Sequence, residues 1–190
     1  TPSKVELDKV VAFYNKGQLK EALLSGHELV ARYPDSSMLE NILGVLYAAS
    51  KQFNDALLHY DNALRLKPDY PEALNNKGNT LNELGNYNDA LSCFENALRK
   101  MPDYAEAHNN LGSLLHNMGE LKKAQGYYQN SIDLKPDYVE AYNNLGNVCA
   151  DLNQPTLALQ YFAKALRIDP NFVQAYNSIG HTLRLLGRPA

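Results

Sequence analysis

The sequence predicts an all-α protein: a solenoid of stacked helical hairpins. Three observations predict it. Prolines recur at Pro34, Pro68, Pro102, Pro136 and Pro170, each 34 residues after the last. Alanines hold the same register at Ala22, Ala56, Ala90, Ala124 and Ala158, and glycines at Gly44, Gly78, Gly112, Gly146 and Gly180. Fixed self-similarity at such a period marks a repeat architecture rather than one irregular core.

Ending each repeat two residues after its proline gives units 3–36, 37–70, 71–104, 105–138 and 139–172, and a partial unit 173–190, all within one solenoid over 1–190. Each unit reads as two helices. In the third, Ala73, Leu74, Leu81 and Leu84 share a face at helical spacing over 71–84. Gly85 then ends the helix, as a residue free to take positive φ does. Its counterparts are Gly17, Gly119 and Gly187, with Lys51 and Asn153 as variants. The second helix, over 87–100, puts Ala90, Leu91, Phe94, Ala97 and Leu98 on one stripe, and Pro102 stops it. Asp69 with Glu72, Asp103 with Glu106, Asp137 with Glu140 and Asn171 with Gln174 have the spacing of capping boxes. Pro71, Pro155 and Pro189 fall in first turns, where a missing N–H costs little. The recurring glycine and alanine let the two backbones approach, while Leu111, Tyr128, Leu145 and Phe162 fill the space around them. A lone hairpin cannot bury its apolar face, so the hairpins must stack.

Composition narrows the functional classes. The chain has 190 residues, 45% hydrophobic and 21% charged, with a net charge of -3. It can bury a core, and it lacks the clustered Lys and Arg that nucleic acid demands. No run is long and apolar enough to span a membrane, so neither nucleic acid nor membrane is an expected partner. Cys93 and Cys149 sit at apolar repeat positions and read as core thiols rather than a disulfide. A cytoplasmic location is the expectation.

The units resemble the tetratricopeptide repeat. The residues that carry the likeness are Leu43-Gly44, Leu111-Gly112 and Leu145-Gly146, Tyr47, then Ala56, Tyr60, Ala63, Pro68 and Ala158, Phe162, Ala165, Pro170. The likeness covers essentially the whole chain. It implies a right-handed superhelix whose first helices line a concave groove. The early aromatic of the family is Glu40, Leu74 and His108 in three units, Lys77 replaces the leucine before Gly78, and the first unit carries Val10 for glycine and Gly26 for the second-helix aromatic. That unit reads as a degenerate end repeat.

The resemblance also implies which positions line the groove. The fifth residue of each unit is Asn41, Asn75, Asn109, Asn143 and Asn177. The sixth is Ile42, Asn76, Asn110, Asn144 and Ser178, and the ninth is Val45, Asn79, Ser113, Asn147 and His181. Asn is a poor choice for a helix interior, so propensity does not explain the excess. Its carboxamide both donates and accepts hydrogen bonds, which suits an extended peptide backbone of any sequence. Amides that bond to one another and lock the stack are the other meaning of the same columns. The arrangement is similar to the asparagine ladder of O-GlcNAc transferases in three rungs, Asn76, Asn110 and Asn144. The carboxylate clamp of chaperone cochaperones would need Lys or Arg where Asn75, Asn109 and Asn143 stand. Glu72, Glu83, Glu106, Glu140 and Asp151 tilt the groove toward neutral or basic ligands. Met38, Ile42, Val45 and Ala49 make its N-terminal end apolar, to anchor a ligand side chain or to pack on the first unit.

No P-loop, GxSxG or GxGxxG occurs, and no histidine has a metal-ligand partner at a helical spacing. The sequence therefore predicts no catalytic residue, no metal site and no cofactor. The expected function is a non-enzymatic scaffold that binds a protein or an extended peptide. The alternatives are the substrate-recruiting region of a larger bacterial glycosyltransferase or sulfotransferase, and a self-assembling repeat protein. Ile179, Leu183 and Leu186 at the C-terminal end would stay partly uncovered in a piece of a longer protein, or would admit a homo-oligomer. Gly187-Arg188-Pro189-Ala190 reads as a turn into a further helix.

Overall fold

The computed structural model describes residues 2–187. The described residues form eleven α-helices and no strand. The chain divides into two compact units, Thr1–Lys100 and Met101–Ala190. The first holds α1 (Lys4–Asn15), α2 (Leu19–Arg32), α3 (Ser37–Ala49), α4 (Phe53–Leu66), α5 (Pro71–Glu83) and α6 (Tyr87–Lys100). The second holds α7 (Ala105–Asn117), α8 (Leu121–Leu134), α9 (Val139–Asp151), α10 (Pro155–Ile168) and α11 (Val173–Leu185). Arg188, Pro189 and Ala190, expected to open a further turn, lie outside the described residues.

Helix ends follow the punctuation in the sequence. Each second helix stops two residues before its proline. Gly85 follows α5 with φ 77°, and in the corresponding turns Lys51 and Asn153 take φ 60°. Two side-chain-bearing residues therefore hold the left-handed conformation that glycine adopts at no steric cost.

The expected capping boxes do not form. The helices begin one residue late for them: Tyr70, Tyr104, Tyr138 and Phe172 occupy the cap positions of α5, α7, α9 and α11, and none makes a side-chain cap bond. The acidic groups have other partners. Asp69 pairs with Lys100, and Glu106 pairs with Lys135 at 2.9 Å. A capping box does form at Ser3 and Glu6, where α1 starts, and Ser36 caps α3.

The core of four of the hairpins is a ring laid on a glycine. A β-carbon on Gly78 would stand 2.8 Å from the Phe94 ring, and on Gly112 2.9 Å from the Tyr128 ring. Gly44 against Tyr60 and Gly146 against Phe162 are closer still. Ala22, Ala56, Ala90, Ala124 and Ala158 are fully buried, as close backbone approach requires. The first hairpin reverses the scheme. Val10 takes the glycine position and is buried, while Gly26 takes the aromatic position and receives Leu43 from α3. The bulk has moved from the second helix to the first and to the next hairpin, so the space stays filled.

Candidate functional site

The asparagine columns separate into an inner and an outer one. Successive residues on an α-helix point 100° apart, so neighbouring positions cannot face the same way. At the fifth position Asn75, Asn109 and Asn143 are buried, at 4%, 7% and 7% exposure. At the sixth, Asn76, Asn110 and Asn144 are half-buried, and so are Asn79 and Asn147 one turn on. Asn41 is half-buried, while Asn177 and His181 on α11 are exposed.

In the first unit, Asn76 on α5 donates its side-chain N–H to Oδ1 of Asn41 on α3 across 3.1 Å. In the second, Asn144 on α9 makes the same bond to Asn109 on α7, also at 3.1 Å. Asn109 in turn reaches Oδ1 of Asn110 at 3.5 Å. Both bonds are diagonal: the outer amide of one first helix donates to the inner amide of the preceding one. At α11 the pattern has no counterpart. Asn143 Oδ1 is buried without a partner, because the residue whose register would supply the donor is Ser178, whose hydroxyl is too short. Burying an amide oxygen without a donor is costly.

The rim of this face carries charge in both units. Glu72, Glu83, Glu140 and Asp151 are exposed. Lys135 holds the Glu106 carboxyl below the usual carboxylate range through its hydrogen bond. His116 on α7 meets Asp151 on α9 at 2.6 Å, which ties it to the neighbouring first helix. His181 stands on the same face of α11 and is open to solvent.

A polar cluster in the first unit was not foreseen. Glu40, 7% exposed, replaces the early aromatic of its hairpin. Its Oε2 meets His59 Nδ1 at 2.7 Å and accepts a hydrogen bond from Asn62 at 3.3 Å. The His59 ring stacks on Tyr47 with centroids 5.1 Å apart, and Tyr47 Oη lies 2.8 Å from His27 Nε2. The available signal was Glu40 itself, since a carboxylate at a core position demands a partner. In α7 and α11 that position turns to the backbone: His108 reaches the Pro102 carbonyl at 2.9 Å, and Tyr176 donates to the Pro170 carbonyl at 3.0 Å.

Cys93 and Cys149 are free and buried, and burial pushes both thiols up. Among the described residues no cluster of His, Cys, Asp or Glu is placed to hold a metal ion, and no helix is long and apolar enough to cross a membrane.

Comparison with known proteins bears on the fold. A sequence signature described as tetratricopeptide repeat matches residues 103–171, and one described as TPR repeat matches 44–85 and 78–119. No curated protein sequence matches significantly. Among solved structures, TTC0263, a thermophilic TPR protein of Thermus thermophilus, superposes with a TM-score of 0.84 at 21% identity, covering 95% of this chain and 98% of that one. PilF of Pseudomonas aeruginosa gives 0.82 at 17% identity, covering 96% of this chain and 83% of its own. YrrB, described as a TPR protein with an unusual peptide-binding site, gives 0.65 at 20% identity, covering 93% and 91%. At these identities the likeness is one of fold: an all-α solenoid of helical hairpins.

Proposed function

This chain belongs to the tetratricopeptide repeat family, and from that premise we propose that it is a protein-interaction scaffold that holds an extended peptide against its first helices. Asn76 and Asn79 on the first unit, and separately Asn110, Asn144 and Asn147 on the second, are the residues that meet a peptide backbone on each unit's own face. The inner amides Asn41 and Asn109 hold Asn76 and Asn144 in place.

The observation that carries this reading is the division of labour between the columns. A carboxamide has two N–H donors and an acceptor oxygen. The bond from Asn76 to Asn41 uses one donor and fixes the rotamer, while the side chain stays half exposed. A donor–acceptor group held in this way has already lost the side-chain entropy that binding would otherwise cost. Backbone capture is sequence-tolerant, and the exposed carboxylates at the rim favour neutral or basic segments. The peptide-binding site in the description of YrrB is in keeping with this use of the fold.

The test is capture of a displayed twelve-residue peptide library by the wild type and by the Asn76→Ala/Asn110→Ala/Asn144→Ala triple variant. The wild type should enrich peptides, and the folded triple variant should bind them at least tenfold more weakly. Equal binding would remove the outer column from the site.

A second reading, self-association through α11, has its own observation. Val173 is 62% and Tyr176 54% exposed. Light scattering over a concentration series tests it, and a strict monomer would eliminate it.

A further inference from the structure

At the sixth and ninth positions, where α5 and α9 present Asn76 with Asn79 and Asn144 with Asn147, α3 presents Ile42 and Val45. The ninth position of the first repeat, on α1, is Val11. These substitutions leave a pocket in the first unit. Its volume is about 140 Å³, and it is lined by Val10, Val11, Tyr14, Ile42, Val45 and Leu46. Its lining is wholly apolar. Val10 and Leu46 form a buried floor, while Val11 and Tyr14 are 48% and 40% exposed at the mouth.

We infer that this pocket takes one aliphatic side chain, of leucine or methionine size, from the peptide whose backbone meets Asn76. The inference rests on the proposed function and adds the ligand's side-chain chemistry to it. Size, register and charge support it. At about 140 Å³ the cavity has room for a branched or thioether side chain. Ile42 and Asn76 occupy the same repeat position on α3 and α5, which pack side by side in this unit. Packed helices lie on the order of 10 Å apart and an extended chain rises ~3.3 Å per residue, so the anchor falls about three residues from the residue held by Asn76. The charged groups in reach favour a basic flank. Asp8 is exposed one turn before Val11, and Glu72 is exposed one turn before Asn76. The one lysine among them on α5, Lys77, is paired with Asp61 at 2.5 Å. The ligand is thus an extended segment with an aliphatic residue beside Lys or Arg.

The probe is the same twelve-residue library selected on the whole chain, followed by fluorescence polarisation of one enriched peptide. The expected result is enrichment of a Leu, Ile or Met at a fixed distance from a basic residue. Replacing that residue by Ser in the peptide should weaken binding about tenfold or more, the effect of withdrawing one buried aliphatic group. Val45→Ser in the protein should abolish the preference, with helicity retained because the position is half exposed. Enriched peptides with no aliphatic preference, bound equally by Val45→Ser, would overturn the pocket and leave the outer amides as the site. Failure of the wild type to enrich any peptide would overturn both. A concentration-dependent dimer that Val11→Ser dissolves would show that a second copy fills the pocket and would overturn the inference.

Discussion

Asn144 donates its side-chain N–H to the Oδ1 of Asn109 across 3.1 Å, and that bond ties the exposed face of α9 to the buried face of α7. Asn109 is both the acceptor for its neighbour and a packed residue at 7% exposure. Asn109→Ala removes both roles and should cost about 1–3 kcal/mol, as loss of a buried hydrogen-bonding partner does. Urea denaturation of the purified variant checks it, and a midpoint equal to wild type would show that the inner column is dispensable.

Ser178 interrupts this diagonal pattern, and the break can be repaired. Ser178→Asn would place a carboxamide N–H where Asn143 Oδ1 lacks a donor. The gain should be about 0.5–1.5 kcal/mol, the net value of one hydrogen bond. A rise in the urea midpoint supports the diagonal pattern. A fall, with helicity kept, would mean that α11 does not sit where the register requires.

Two glycines should respond in opposite directions to the same substitution. Gly112→Ala drives a β-carbon to 2.9 Å from the Tyr128 ring, and overpacking of this kind costs about 1–3 kcal/mol. Gly126 lies within α8 and is exposed, with nothing within 4 Å of a β-carbon built there. Gly126→Ala should stabilise by about 0.5–1 kcal/mol through helix propensity. Thermal melts of the two variants measure both signs.

Burial pushes the Tyr60 hydroxyl from the ordinary value of 10 up to about 12, with the Thr80 hydroxyl beside it opposing the shift. Burial does the same to Tyr138, to about 12. Both phenols are held protonated in the fold. Their contribution is therefore fully present below pH 10, and it is lost as the pH climbs from 10 to 12, where the unfolded chain has already released its protons. The urea midpoint should fall between pH 9 and pH 11.5, and less so in Tyr60→Phe. Absorbance titration showing every tyrosine ionising together near pH 10 would contradict the burial.

Much of this architecture was legible because it repeats. The aromatic sixteen residues after each glycine, as in Gly78 with Phe94, marks a contact that recurs unchanged, and the turn at Gly85 predicted the backbone of Lys51 and Asn153. Features that depend on one helix meeting another at a single place were not legible. Asn75 and Asn76 are identical in type, and only the 100° between them and the neighbouring helix decide which is buried. Glu40 and His59 are 19 residues apart on different helices, and no period links them. Asp69 and Glu72 have the spacing of a capping box but lie one residue out of register with the start of α5.

The most direct test of the outer amides is nuclear magnetic resonance of the ¹⁵N-labelled chain titrated with an enriched peptide. The side-chain N–H₂ signals of Asn76, Asn79, Asn110, Asn144 and Asn147 should shift on binding, and more than those of the buried Asn75, Asn109 and Asn143. Shifts confined to the second helices α4, α6, α8 and α10, with those outer amide signals unmoved, would contradict the account.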